Sequence, residues 1–141
     1  MAKIKARQID TGTGANNIVE LNGSSQLPAV DASLLTSIPY TPLTIYSDGD
    51  NHVLVLANAG QYIRMTNGSA NTVTVPLNSS VAFPIGTEII VRQAGAGTTT
   101  IVATGGVTIN TSNTLAIAAQ HDSVSLVKVA TDEWDLTGAT A

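Results

Sequence analysis

The chain has 141 residues, enough for one domain with a core of its own and too few for two ordinary ones. It contains no cysteine, which excludes disulfides, thiolate nucleophiles and cysteine-ligated zinc together. Charged residues make up 11% of the chain against the usual ~25%, so Thr, Ser, Asn and Gly stand where charge would normally be. With a hydrophobic share of 43% the chain falls outside the low-hydrophobicity, high-charge regime of disorder. Abundant Thr and Val with Asn and Gly between them is the composition of strands and turns. A surface this poor in charge is also cheap to bury against further copies, because few ions need desolvating.

The basic residues are unevenly placed. Lys3, Lys5 and Arg7 are half of the six; from Gln8 onward Arg64, Arg92 and Lys128 face all ten acids, a net of −7. Such an acidic body argues against a nucleic-acid partner, which requires a basic patch. No stretch of ~20 apolar residues is present, so no membrane-spanning helix is expected. The basic N-terminus has no apolar run behind it, and secretion through a signal peptide is not expected either.

Residues 1–43 read as an extended N-terminal arm. Thr11-Gly12-Thr13-Gly14-Ala15-Asn16-Asn17 precedes a short apolar strip of Ile18, Val19 and Leu21. A turn at Asn22-Gly23-Ser24-Ser25 leads to Leu27, Leu34, Leu35 and Ile38, with Pro28 and Pro39 among them. None of these clusters sustains a helical period over the ~12 residues an isolated helix needs; Asp31 caps at most one turn, stopped by Pro39. Long segments without structure of their own are uncommon in compact domains. The apolar residues are therefore expected to be buried on another copy or on a platform protein. The simpler alternative is that they fold back as edge strands on the body.

Residues 44–141 carry the strand signals. His52–Ala57 is a continuous apolar run, expected to be a strand covered on both faces. Gln61–Thr66 alternates, with Ile63 and Met65 on one face, and Thr72–Val75 is a strand stopped by Pro76. Thr87–Gln93, Thr98–Ala103, Val107–Asn110, Leu115–Ala118, Ser123–Val129 and Glu133–Thr137 complete the set. Asn58-Ala59-Gly60, Asn67-Gly68 and Ala94-Gly95-Ala96-Gly97 read as hairpin turns. The apolar positions of Ser123–Val129 change parity, which predicts a bulge or a strand end covered on both sides. Trp134 is the expected core anchor. The spacing leaves no room for crossover helices. The expected fold is all-β, a compact antiparallel β-sandwich or jelly-roll-like domain over 44–141 behind the arm.

Catalytic chemistry finds little support. His121-Asp122-Ser123 has the residue types of a nucleophilic triad, but neighbours on a strand point to opposite faces, and a turn is the simpler reading. Asp48-Gly49-Asp50-Asn51 lacks the third ligand and the closing Glu of a calcium loop. Asp132, Glu133 and Asp135 offer carboxylates of the kind glycoside hydrolysis uses, without further signs of a cleft. Gly95-Ala96-Gly97 lacks the Lys-Ser/Thr of a phosphate-binding loop. The two histidines, His52 and His121, have no short metal-ligand spacing. Tyr40, Tyr46, Tyr62, Phe83 and Trp134 are too few to serve both a core and a carbohydrate platform. The chain is expected to be no enzyme, with no catalytic, metal or cofactor residues.

Two stretches carry a resemblance. Residues 16–35, from Asn16-Asn17-Ile18-Val19-Glu20-Leu21 through Leu27-Pro28-Ala29-Val30-Asp31 to Leu35, resemble a segment of phage tail-fibre and head-fibre proteins patterned N-x-I-V-x-L-x-G-x-G-x-L-P-A-L-D-G-S-x-L. Ser25 and Ala32 stand where that pattern has glycines. Val73-Thr74-Val75-Pro76, Phe83-Pro84-Ile85-Gly86-Thr87, Val91-Arg92-Gln93-Ala94-Gly95-Ala96-Gly97 and Trp134-Asp135-Leu136-Thr137-Gly138 resemble a small β domain of phage fibres, spikes and capsid decorations. The resemblance implies a homotrimer. Since the chain starts at Met1 and shows no shaft, it implies a capsid cement or head-fibre protein on the outer capsid surface of the virion. Lys3, Ile4, Lys5, Arg7 and Ile9 would then grip the major capsid protein. Ile18, Val19, Leu21, Leu27, Leu34, Leu35 and Ile38 would make the contacts between subunits. The alternative is a short tail-fibre module recognising a host surface glycan.

Overall fold

The computed structural model describes residues 42–141. Of the expected arm only Pro42 and Leu43 fall within that range. Nine strands form: β1 Ile45–Asp48, β2 His52–Val53, β3 Tyr62–Met65, β4 Asn71–Val75, β5 Glu88–Gln93, β6 Thr99–Ala103, β7 Thr108–Asn110, β8 Ser123–Ala130 and β9 Glu133–Gly138. Alternation decides most of them. In β3 to β6 every second residue is buried, and Ile63, Met65, Val73, Val75, Ile89, Val91 and Ile101 all enter the core as their spacing requires. Trp134 is buried as expected and meets Phe83 edge to face, ring centroids 5.5 Å apart.

The pairing departs from expectation. β1-β3-β5-β8-β9-β7 make a six-stranded sheet in that order, and β2-β4-β6 a three-stranded one. Five of the seven pairings are parallel; only β5 with β8 and β8 with β9 are antiparallel. The chain alternates between the sheets as far as β6. It winds three times, laying one strand in each sheet per turn and stacking it parallel on the one before. A parallel pair needs a long crossover, commonly a helix. Here the crossover is a strand of the opposite sheet, so the absence of helices did not require antiparallel sheets. For the same reason the turns at 58–60, 67–68 and 94–97 are corners between sheets and not hairpins, since both flanking strands must turn their apolar side toward one core.

Other expectations shift locally. Of His52–Ala57 only β2 is laddered; His52 and Leu54 point inward, Val53 and Val55 outward, and a 3₁₀ turn at Leu56–Asn58 ends the run. The unbroken apolar run marks an exposed edge, not a strand covered twice. Leu115–Ala118 forms only isolated bridges, Ala116 with Thr100 and Ile117 with Thr140. In β8 the inward rhythm never breaks. Val124, Leu126 and Lys128 all face in, and the expected bulge sits where the register slips between Lys128 and Ala130.

Lys128 takes that inward place because its charge is fully engaged. Its Nζ donates to Asn78 Oδ1 and to the Phe83 carbonyl at 2.8 Å, and lies 5.9 Å from the Trp134 ring centroid. It thereby pins the return segment 76–87, which carries the chain from β4 back to β5, against β8.

Register is held at the corners. Tyr62 pairs with Ile90 and Val73 with Ile101, so partners on β3 and β5 and on β4 and β6 are alike 28 residues apart (62 to 90, 73 to 101). The corner between them keeps the same offset. A side chain at Gly95 would collide with the Asn67 backbone, and one at Gly97 with that of Ser69. Gly95 N–H donates to Met65 O at 2.9 Å and Gly97 N–H to Asn67 O at 3.1 Å, continuing the ladder around the bend. Below the corner, Gln93 Oε1 accepts the Thr99 N–H at 2.9 Å and Thr99 Oγ1 donates to Asn71 Oδ1 at 2.9 Å. Glycine is required at these positions for close approach. Gly95→Ala and Gly97→Ala are each expected to lower the unfolding free energy by more than ~2 kcal/mol, and Gly68→Ala, where a Cβ meets nothing, by less than ~1 kcal/mol, in urea unfolding followed by Trp134 fluorescence.

Candidate functional site

The two ends of the winding are finished differently. At the far end Ile101 N–H donates to Leu115 O at 2.8 Å and Ile117 N–H to Thr99 O at 2.9 Å, so residues 115–117 cover the outer edge of β6. The last residues add to them, with Ala118 N–H donating to Ala139 O at 2.9 Å and Thr114 N–H to Ala141 O at 3.1 Å. Beyond β5 the six-stranded sheet continues through β8, β9 and β7. At the near end nothing among the described residues pairs with the outer sides of β1 and β2, the edge strands of the two sheets. Here Leu43, Ile45, Val53, Val55 and Leu56 are exposed, Ile45 to 65% of its surface. Edge strands present unpaired N–H and C=O groups, and bare apolar residues beside them mark a surface made to be covered.

That first turn is braced by a polar cluster. Tyr46 and Asp48 come from the inner side of β1, His52 opens β2, and Asn58 closes the 3₁₀ turn. His52 is nearly buried; its Nδ1 lies 2.9 Å from Asp48 Oδ2 and its Nε2 3.1 Å from Asn58 Oδ1. The Asn58 amide is oriented by two further contacts: its Oδ1 accepts the Val55 N–H at 2.8 Å, and its Nδ2 donates to Gln61 Oε1 at 3.0 Å. Both ring nitrogens of His52 therefore lie within hydrogen-bond distance of a side-chain oxygen. The Tyr46 ring is 5.0 Å from that of His52. The cluster holds two strands of a short turn together where no outer neighbour does so.

The remaining candidates resolve into structure. Asp48-Gly49-Asp50-Asn51 is the first corner: Asp50 N–H donates to Asp48 Oδ1 at 2.9 Å, and Asn51 Oδ1 accepts the Thr72 N–H from β4 at 2.9 Å. His121 has a positive φ of 74° in the turn before β8, its N–H donating to Gln93 O at 2.6 Å, which leaves His121-Asp122-Ser123 as a turn. The C-terminal acids are separately engaged. Asp132, at φ 64° in the β8–β9 hairpin, accepts the Asn78 N–H at 2.6 Å, and Asn110 Nδ2 bridges Glu133 at 2.9 Å and Asp135 at 3.1 Å between β7 and β9. A shallow groove of about 380 Å³ lies beside them, lined by Asn110, Thr111, Ser112, Asp135 and Leu136 to Gly138. Gly95 and Gly97 serve the corner described above. Among the described residues no group of three or more His, Asp or Glu is placed to hold a metal, and no helix is long and apolar enough to cross a membrane.

Lys3, Ile4, Lys5, Arg7 and Ile9, and likewise Ile18, Val19, Leu21, Leu27, Leu34, Leu35 and Ile38, lie outside the described residues. What the sequence reading missed is the open turn itself and its polar brace. The signal available for it was the pairing of a histidine with an aspartate four positions earlier at the head of an apolar run. The chain matches no protein-family model, no curated protein and no solved structure.

The Asp48 carboxyl is held below the ordinary aspartate value, first by the Asp50 N–H, with burial opposing and the His52 ring adding to the shift. A group ionising more easily in the folded than the unfolded state stabilises above its unfolded pKa, ~3.9, and that contribution fades as pH falls below it. The Asp48→Asn variant is therefore expected to be less stable than the parent at pH 7 and to show a shallower loss of stability below pH ~4. Thermal melts between pH 7 and 2 check this.

Proposed function

We propose that this chain is a structural virion protein, a homotrimeric capsid cement or decoration protein. In this reading residues 1–43 form an arm. Lys3, Ile4, Lys5, Arg7 and Ile9 grip the major capsid protein, and Ile18, Val19, Leu21, Leu27, Leu34, Leu35 and Ile38 make contacts between subunits. The β domain projects from the outer capsid surface. The observation that carries the reading is the asymmetry of the winding, which among the described residues is covered at its far end and uncovered at its first turn. A chain of −7 net charge after residue 7 has few ions on which to build a catalytic centre, and much surface that is cheap to bury. The outward face of the three-stranded sheet illustrates this, since Val53, Thr72, Thr74, Thr100 and Val102 carry no charge at all. The resemblance of residues 16–35 to phage fibre segments supplies the setting.

A second reading is a short tail-fibre module that recognises a host surface glycan. It is favoured by the outward face of the six-stranded sheet, where cationic, aromatic and hydroxyl side chains share adjacent rows. Neither reading makes the chain an enzyme.

In sedimentation the full chain is expected to run as a trimer. Ile45→Glu combined with Val53→Glu should dissociate it at unchanged Trp134 fluorescence. Deleting residues 1–15 should leave the trimer intact and abolish binding to purified capsid shells. A truncated protein that still decorates shells would sink the anchoring role of Lys3 to Ile9, and co-purification with tails instead of shells would favour the second reading.

A further inference from the structure

Basic residues are scarce in this domain, yet two of its three are in register on neighbouring strands. Arg64 on β3 pairs with Arg92 on β5, and the row extends to Ser47 on β1 and Ser123 on β8. All four point away from the core, as the buried residues on either side of each arginine require. Neighbouring strands lie ~4.8 Å apart, so the two arginine side chains leave the sheet side by side. Like charges directly opposite on a sheet are destabilising, and such a pair persists only where something compensates it. Among the described residues neither arginine forms a salt bridge; the one ion pair joins His52 and Asp48. The nearest acid along β5, Glu88, is four residues from Arg92 and accepts the Ser125 hydroxyl at 2.7 Å.

The adjacent row has a different character. Ile45, Tyr62, Ile90, Ser125 and Thr137 follow one another across β1, β3, β5, β8 and β9. Tyr62 is half-buried between two isoleucines, and its hydroxyl accepts from Arg92 Nη1 at 3.3 Å. Burial opposes ionisation of that phenol, but the Arg92 and Ser123 hydrogen bonds and the two positive charges hold it below the ordinary tyrosine value. The local field is thus positive on an otherwise acidic domain. Side by side stand a row of cationic and hydroxyl donors and a row with an aromatic and aliphatic surface ending in further hydroxyls.

We propose that the Arg64–Arg92 row, with Tyr62 beside it, is a binding site for an acidic saccharide, a sugar bearing a carboxylate. The planar donors of the two guanidinium groups take the carboxylate, as arginine does in bidentate recognition. The apolar face of the sugar ring lies on Tyr62 beside Ile90, and its hydroxyls meet Ser47, Ser123 and Ser125. A dense polyanion such as nucleic acid fits poorly, because two cations are outnumbered by seven acids over residues 42–141 (Asp48, Asp50, Glu88, Asp122, Asp132, Glu133 and Asp135). A free inorganic anion would leave the aromatic and aliphatic row unused. The inference deepens the glycan-binding reading and rests on it, without depending on where in the particle the protein sits.

The full chain is titrated with sialyllactose and with a glucuronate-terminated disaccharide, with lactose and inorganic sulfate as comparisons, by NMR or calorimetry, and is then applied to a broad array of neutral and acidic glycans. Both acidic sugars are expected to bind, at least tenfold more tightly than lactose. Arg64→Ala and Arg92→Ala should each weaken them at least tenfold with the melting temperature not lowered, and Arg92→Lys should restore only part of the loss. Asn110→Ala, on the distant β7 edge, should change nothing. Sulfate bound as tightly as the acidic sugars overturns the saccharide assignment. Binding of neutral glycans alone overturns this site and leaves the glycan-binding reading standing. No binding to any glycan overturns both.

Discussion

The architecture depends on the close stacking of one corner on the next. Because Gly95 and Gly97 lie directly on the Asn67 and Ser69 backbone, the bend from β5 to β6 repeats the bend from β3 to β4 at a fixed offset. That contact sets the register of β3 on β5 and of β4 on β6 at once, one pair in each sheet. A one-residue slip would turn every inward side chain outward, and here it would do so in both sheets together. The buried Gln93–Thr99–Asn71 chain of hydrogen bonds lies under the same corner and fills it with matched donors and acceptors, so neither sheet can slide past the other without breaking it.

How the chain chose its strands is written in alternation, and that much was readable. Residues 61–66, 72–75, 87–93 and 98–103 show period two, and Ile63, Met65, Val73, Val91 and Ile101 had to share a core. Which strand lies beside which was not readable in the same way, because a turn residue states only that the chain bends. Asn67-Gly68 serves a hairpin and a corner equally well. The information that separates them is the offset of 28 residues, which runs through strand, corner and strand alike but joins chemically unlike residues such as Asn67 and Gly95. Lys128 is illegible for another reason. An inward position normally predicts an apolar residue, and only the arrival of Asn78 and the Phe83 carbonyl from the return segment makes a lysine acceptable there. β1 was missed because Ile-Tyr-Ser-Asp alternates weakly and its inner positions hold Tyr46 and Asp48, which face the polar brace and not the apolar core.

The candidate site divides in the same manner. The residues expected to anchor the chain lie in its first 38 positions, where the argument came from apolar side chains lacking a local core. The described residues add the complementary half, a turn whose edges and whose Leu43, Ile45, Val53, Val55 and Leu56 lack a cover.

The distribution of charge follows from this division. The three-stranded sheet shows only Val and Thr outward, a face from which no ion would have to be desolvated on burial. The domain's charges lie on the six-stranded sheet, the corners and the β7–β9 edge, where Asp48, Lys128, Asp132, Glu133 and Asp135 meet backbone groups or asparagines and Glu88 meets a serine hydroxyl. Arg64 and Arg92 are the exception, since they stand opposite each other in register and among the described residues form no salt bridge. Where charge is so sparingly used, two like charges on adjacent strands are hard to ascribe to solubility, which one cation elsewhere would serve as well without repulsion. The arrangement makes physical sense once an anion lies between them, because the repulsion that weakens the empty pair becomes attraction shared by both arginines when it is filled.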